Sequence, residues 1–170
     1  MNVALFGFMG VGKTVVGKIL AQKLGLAFVD IDEEITKKTG KKITFIFKED
    51  GEATFRKIEK SVTSEIAERD HQVIACGGGT ILDQDNLNHL RRNSILILLT
   101  AKPEVILERV YSEGDIRPLL MVEEKLDRIQ SLLKERNQQY MQAADIVVDT
   151  SGRSPSQIAE EILGLLGEEL

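Results

Sequence analysis

Short apolar runs alternate with longer stretches of mixed periodicity along the whole chain. Val3-Ala4-Leu5-Phe6, Ala27-Phe28-Val29, Gln72 to Cys76, Ser94 to Leu99 and Ile146-Val147-Val148 read as short, largely apolar strands. Between them apolar residues recur every three or four positions, as on one face of a helix. Val15, Val16, Ile19, Leu20 and Leu24 form such a stripe on a helix beginning near Lys13, and Gly25 stands where a C-terminal glycine belongs. The segment from Glu33 to Arg69 is predicted mostly helical, broken near Gly40 and Gly51. Pro103 suits the first turn of the next helix, and a long helix ends near Ala143. Ser154 is predicted as the N-cap, with Pro155 the first residue, of a last helix whose inner stripe is Ile158, Ile162, Leu165 and Leu166. Continuous apolar strands separated by helices indicate a parallel sheet covered on both faces. With no repeat or linker in view, the expectation is one α/β domain over residues 1–170.

Composition narrows the chemistry. The 170 residues are enough for one real core, and 42% hydrophobic with 29% charged is ordinary globular usage. No apolar run approaches the roughly 18 residues of a membrane span, and the N-terminus lacks a basic signal region, so a cytoplasmic protein off the membrane is expected. The single cysteine, Cys76, excludes an internal disulfide and reads as a small buried residue; His71 and His89 are too few for a metal cluster. The 22 basic residues against 27 acidic ones give a net charge of −5, which argues against a nucleic-acid partner. Anions must then be held by a local cluster of cations.

One such place is explicit. Gly7-Phe8-Met9-Gly10-Val11-Gly12-Lys13-Thr14 matches the phosphate-loop pattern without a mismatch, between a strand and a helix as the pattern requires. Glycines let backbone N–H groups wrap phosphate oxygens at a helix N-terminus. Lys13 supplies charge near the β- and γ-phosphates, and the Thr14 hydroxyl is a candidate Mg²⁺ ligand. After the second strand, Asp30 and Asp32 would project to the same side of an extended chain, facing the ligand crevice. One carboxylate would serve the metal and the other an acceptor hydroxyl. The alternative is that Asp30 only caps a helix starting at Glu33-Glu34.

Further candidates stand where the pattern wants something else. Leu126, Ile129, Leu133, Arg136 and Tyr140 share one helical stripe, so Arg136 faces inward and needs an anion, from the protein or from a substrate carboxylate. Arg56 is a second candidate, although pairing with Glu52 or Glu59 on its own helix would also satisfy it. Gly77-Gly78-Gly79 suggests close backbone approach to a ligand, or a plain turn. Ser112 to Pro118 has the look of a lid carrying Arg117, and is equally legal as a surface loop.

The ordered set of the loop 7–14, Phe28-x-Asp30-x-Asp32, Phe55-Arg56-x-Ile58-Glu59, the triple glycine 77–79, Arg117-Pro118-Leu119-Leu120 and Arg136-x-x-x-Tyr140 resembles the shikimate kinase family, small P-loop kinases of the nucleoside-monophosphate-kinase type. The resemblance implies a three-layer P-loop NTPase fold with a five-stranded parallel sheet in the order 2-3-1-4-5. It also implies a helical substrate-binding segment at about 33–62 and a lid at about 112–121. It implies ATP- and Mg²⁺-dependent phosphorylation of the 3-hydroxyl of shikimate, a step toward chorismate and aromatic amino acids. Roles carried onto matching positions are catalysis by Lys13, Asp32 and Arg117, and metal binding by Thr14 and Asp30. Gly10, Val11, Gly12, Lys13, Thr14, Val15, Arg109, Arg117, Arg153 and Pro155 would contact ATP, with Arg109 and the 153–155 segment flanking adenine. Asp32, Arg56, Gly77, Gly78, Gly79 and Arg136 would bind shikimate. The implied partners are the two small-molecule substrates, with the protein a monomer. A related hydroxy-acid kinase of the gluconate type, or a non-catalytic nucleotide-binding module, is the rival reading.

Overall fold

The computed structural model describes residues 1–112 and 122–169. Five strands form one parallel sheet, β1 (Asn2–Phe6), β2 (Ala27–Asp30), β3 (Gln72–Ala75), β4 (Ser94–Thr100) and β5 (Ile146–Asp149), in the spatial order β2-β3-β1-β4-β5. The order is the expected one. β1 lies at the centre, pairing Leu5 with Ala75 of β3 and with Ile97 of β4. All five residues of β1 and all four of β3 are buried, as the continuous apolar runs require. The edge strands β2 and β5 are only partly covered.

The helices are α1 (Lys13–Leu24), α2 (Ile31–Thr39), the single turn α3 (Ile43–Phe45), α4 (Glu52–Ala67), α5 (Gln84–Arg91), α6 (Pro103–Ser112), α7 (Val122–Ala143) and α8 (Pro155–Glu169). A π turn at Ile46–Asp50 and a 3₁₀ turn at Thr80–Leu82 complete the described elements. Gly25 and Gly40 close α1 and α2 in the left-handed conformation, at the predicted breaks. Ser154 and Gln157 form a reciprocal capping box at the start of α8, Ser154 Oγ accepting from the Gln157 N–H and Gln157 Oε1 from the Ser154 N–H. α8 packs on α1, with Ile158, Ile162 and Leu166 of the predicted stripe buried and Leu165 half-buried.

One helix start and one whole helix depart from the sequence reading. α2 starts at Ile31 rather than Glu33, because Asp30 caps it directly after the strand. The short helix α5 was not anticipated: it is polar on most faces, and its signal is confined to the Asp83 cap and the Leu87/Leu90 pair. Asp83 accepts from the N–H groups of Asp85 and Asn86, fixing the chain just after the triple glycine. The carboxyl ends of β1, β2 and β3 therefore open side by side into one crevice, as in open α/β sheets generally.

Candidate active site

The loop Gly7–Thr14 leaves the carboxyl end of β1 and turns into α1. Gly7 has φ +143°, and a Cβ there would stand 2.3 Å from the Leu99 carbonyl oxygen, so only glycine fits. Gly12 is the left-handed N-cap of α1 at φ +95°, with no side chain accepting from the first N–H groups and no acidic residue in the first turn. That end of α1 is open to an anion. Lys13 Nζ lies back over the loop, donating to the carbonyls of Gly7 (2.5 Å) and Phe8 (3.1 Å). Burial brings its pKa down to about 8, with Cys76, Asp32 and Asp30 opposing the change and Arg136 adding to it. A phosphate beside it would favour the charged form. Val11 is buried as an anchor of the loop, whereas Val15, expected on the inner stripe of α1, is exposed.

Asp30 takes the capping role and also makes a contact with the phosphate loop. Its Oδ1 accepts from the N–H groups of Asp32 (2.9 Å) and Glu33 (3.3 Å), capping α2. Its Oδ2 accepts from the Thr14 hydroxyl at 3.0 Å, joining β2 to the phosphate loop. Thr14 and Asp30 thus bring two hard oxygen donors together beside the loop. That set suits Mg²⁺, which keeps most of its shell as water and phosphate oxygen. No group of three or more His, Cys, Asp and Glu side chains converges among the described residues, so the protein offers part of a coordination shell there rather than a cage.

Asp32 reaches the crevice by a different route from the one expected. It is not in extended chain beside Asp30 but in the first turn of α2, because the strand ends at Asp30. Burial, then the nearby Asp30 and Glu59 carboxylates, raise its pKa to about 6, while Lys13 and Arg56 hold it down.

The triple glycine follows β3, and each of its residues faces a different candidate side chain. A Cβ on Gly77 would stand 3.0 Å from Asp32 Oδ1, and one on Gly78 3.7 Å from an Arg136 guanidinium nitrogen. At Gly79 the Arg56 guanidinium would be 2.6 Å away. Close backbone approach, rather than a plain turn, explains the glycines. Three side chains from α2, α4 and α7 meet around one loop.

Arg56 does make the ion pairs of the simpler reading. It donates to Glu59 at 2.8 Å and lies 3.7 Å from Glu52. Glu59, however, is 1% exposed, and its other oxygen accepts from the Thr80 hydroxyl at 2.9 Å, so this pair is an anchor and not a surface contact. Glu59 was missed as a functional residue, although it carries the signal that singled out Arg136. It is a charge on an apolar stripe, here that of Phe55, Val62 and Ile66. Arg136 lies over the Phe8 ring, 5.6 Å from its centroid.

On the other flank, Arg109 of α6 donates to the Gly10 carbonyl (3.2 Å) and to the hydroxyl (2.9 Å) and carbonyl (2.9 Å) of Thr150. It ties the phosphate loop to the segment after β5. Arg153 donates to the Asp149 carbonyl at 3.0 Å and pairs with Glu161, next to Pro155 at the start of α8. Arg117 and the expected lid after Ser112 lie outside the described residues. Cys76 is buried, and burial pushes its thiol up to about 12, which suits a structural residue.

The family model for shikimate kinase matches residues 9–166. The chain belongs to the shikimate kinase family. It is 44% identical to the shikimate kinase of Thermodesulfovibrio yellowstonii over 95% of this chain and 92% of that one. It is 45% identical to that of Persephonella marina over 96% and 97%. Among solved structures, the shikimate kinase of Acinetobacter baumannii in complex with shikimate superposes with a TM-score of 0.90 at 38% identity, over 99% of this chain and 93% of that one. The enzyme of Aquifex aeolicus superposes with a TM-score of 0.83 at 36% identity, over 99% and 98%. As a shikimate kinase the protein is an ATP-using phosphotransferase, and the sheet order and phosphate loop are those of a P-loop kinase.

Proposed function

We propose that this shikimate kinase binds MgATP on the phosphate loop and shikimate against the glycine loop, and transfers the γ-phosphoryl group to the 3-hydroxyl. The observation that carries the reading is the convergence of Asp32, Arg136 and Arg56 on Gly77, Gly78 and Gly79, beside Lys13. Two guanidinium groups next to one loop match a carboxylate, and a neutral sugar there would give Arg136 no anion to meet. Asp32, ionised at neutral pH, accepts a hydrogen bond from the attacking hydroxyl and takes its proton as the new O–P bond forms and the bond to ADP breaks. Lys13 and the N–H groups at the start of α1 hold the phosphates in line, and catalysis is chiefly positioning and charge neutralisation.

Thr14 and Asp30 would hold the Mg²⁺, with Asp30 acting through water; the ion neutralises phosphate charge when bound. Arg109 and the Arg153–Pro155 segment flank the adenine, while Gly10, Val11, Gly12 and Val15 contribute to the nucleotide side. Arg117 is the proposed lid cation. Closure of the 33–62 segment and the 112–121 lid over bound substrates excludes water and prevents idle hydrolysis. We expect one kinase domain working as a cytoplasmic monomer on two small molecules. Among the described residues no helix is long and apolar enough to cross a membrane.

The test is ADP release from MgATP with a panel of hydroxy acids. Shikimate should stimulate it strongly, with the phosphate found on the 3-oxygen, and gluconate should not. Stimulation by gluconate in place of shikimate would overturn the reading.

A further inference from the structure

The two arginines of the crevice are held in different ways. Arg56 is oriented by a counter-ion, the buried Glu59 carboxylate, which Thr80 fixes in turn. Arg136 has no ion-pair partner among the described residues, so its direction must come from other contacts. Two are visible. Its guanidinium lies over the Phe8 ring, and one turn further along α7 stands Tyr140, 3% exposed. The Tyr140 ring packs edge-on against Phe6, with centroids 5.9 Å apart at 65°. Its hydroxyl donates to the carbonyl of Gly78, the glycine that faces Arg136. Phe6 and Phe8 are alternate residues of the chain running from β1 into the phosphate loop. Arg136 and Tyr140 therefore sit as successive rungs of α7 on that segment, and the Tyr140 hydroxyl joins the lower rung to the glycine loop.

We propose that Tyr140 is a positioning residue for carboxylate recognition, its hydroxyl setting the separation between α7 and Gly78 at which the Arg136 fork meets the substrate. Ring burial against Phe6 supplies packing, which phenylalanine would reproduce. The hydroxyl adds a directional tie between helix and loop, where burial demands an acceptor for it. Loss of that tie lets Arg136 and the Gly78 carbonyl drift apart, which weakens a bidentate grip without touching the phosphate loop chemistry. The proposal rests on the reading of Arg136 as half of the carboxylate clamp.

Steady-state kinetics on Tyr140→Phe, Arg136→Ala and the double variant test both and keep them apart. Tyr140→Phe should raise the KM for shikimate about tenfold while kcat and the KM for ATP stay within about twofold. In the Arg136→Ala background the same change should cost less than about twofold, because the group it positions is gone. An undiminished effect in that background, a fall in kcat at constant KM, or no effect of Tyr140→Phe would each overturn the proposal. If Arg136→Ala itself leaves the shikimate KM unchanged, the clamp reading fails, and this proposal with it.

Discussion

Asp32 occupies a position where burial and two other carboxylates oppose its charge, and the same position suits a group that must accept a proton. With its pKa raised to about 6, turnover should fall below pH 6 with a single-proton limb. Asp32→Asn should lower kcat by about 10²-fold or more and abolish that limb. The stability consequence has the opposite sign. An unfolded aspartate titrates near 3.8, so the folded state holds the proton more tightly, and the ionised carboxylate opposes folding above pH 6. Asp32→Asn should therefore raise the melting temperature by about 3 °C at pH 7.5, and the gain should vanish below pH 4. A gain equal at both pH values would contradict the burial argument. Lys13 provides the complementary case. Burial brings its pKa to about 8, and phosphate oxygens around it should raise it, so nucleotide binding takes up a proton above pH 8 and almost none at pH 6.5. Calorimetric titration in buffers of different ionisation enthalpy measures that uptake directly.

The glycine loop shows how a missing side chain serves function and stability together. Gly79 has φ −104° and ψ −3°, a bridge-region conformation that alanine can also take. The atoms its Cβ would strike are the far end of a flexible side chain, the Arg56 guanidinium. Gly79→Ala should displace Arg56 from the crevice and raise the KM for shikimate at least about tenfold. It should also lower the melting temperature by several degrees, because the buried Glu59 loses its counter-ion. An unchanged melting temperature would show that the Arg56–Glu59 pair survives the substitution. The loop was legible in the sequence because three consecutive glycines need a reason, and so were the phosphate loop, the sheet order and the inward Arg136. What escaped was set by tertiary packing. Asp32 was given the correct destination by the wrong geometry, since the sequence does not reveal that Asp30 caps the helix two residues early. Glu59 stands in the sequence as a motif position and a helical neighbour of Arg56, and its hydrogen bond from Thr80 joins residues 21 positions apart. Tyr140 read as an apolar stripe residue because its hydroxyl partner, Gly78, is 62 positions away.

Across the molecule, a chain with net charge −5 gathers Lys13, Arg56 and Arg136 at the carboxyl edge of a single sheet. Burial first, and Arg136 with it, lowers the Lys13 pKa, and an anionic ligand would counter both. The relief should be divisible, because different elements carry the two halves. Lys13 is the first residue of α1, at the end of the phosphate loop, whereas Arg136 and Arg56 come from α7 and α4. Each ligand at a hundredfold excess over its Kd should stabilise the fold by about 2.7 kcal/mol, a rise of about 5–10 °C for a chain of this size. Arg136→Ala should cancel the rise given by shikimate and keep that given by MgADP, while Lys13→Ala should do the reverse. Thermal unfolding of the three proteins with each ligand decides it. Parallel loss of both shifts in either variant would mean that the crevice is one indivisible site rather than two subsites sharing a wall.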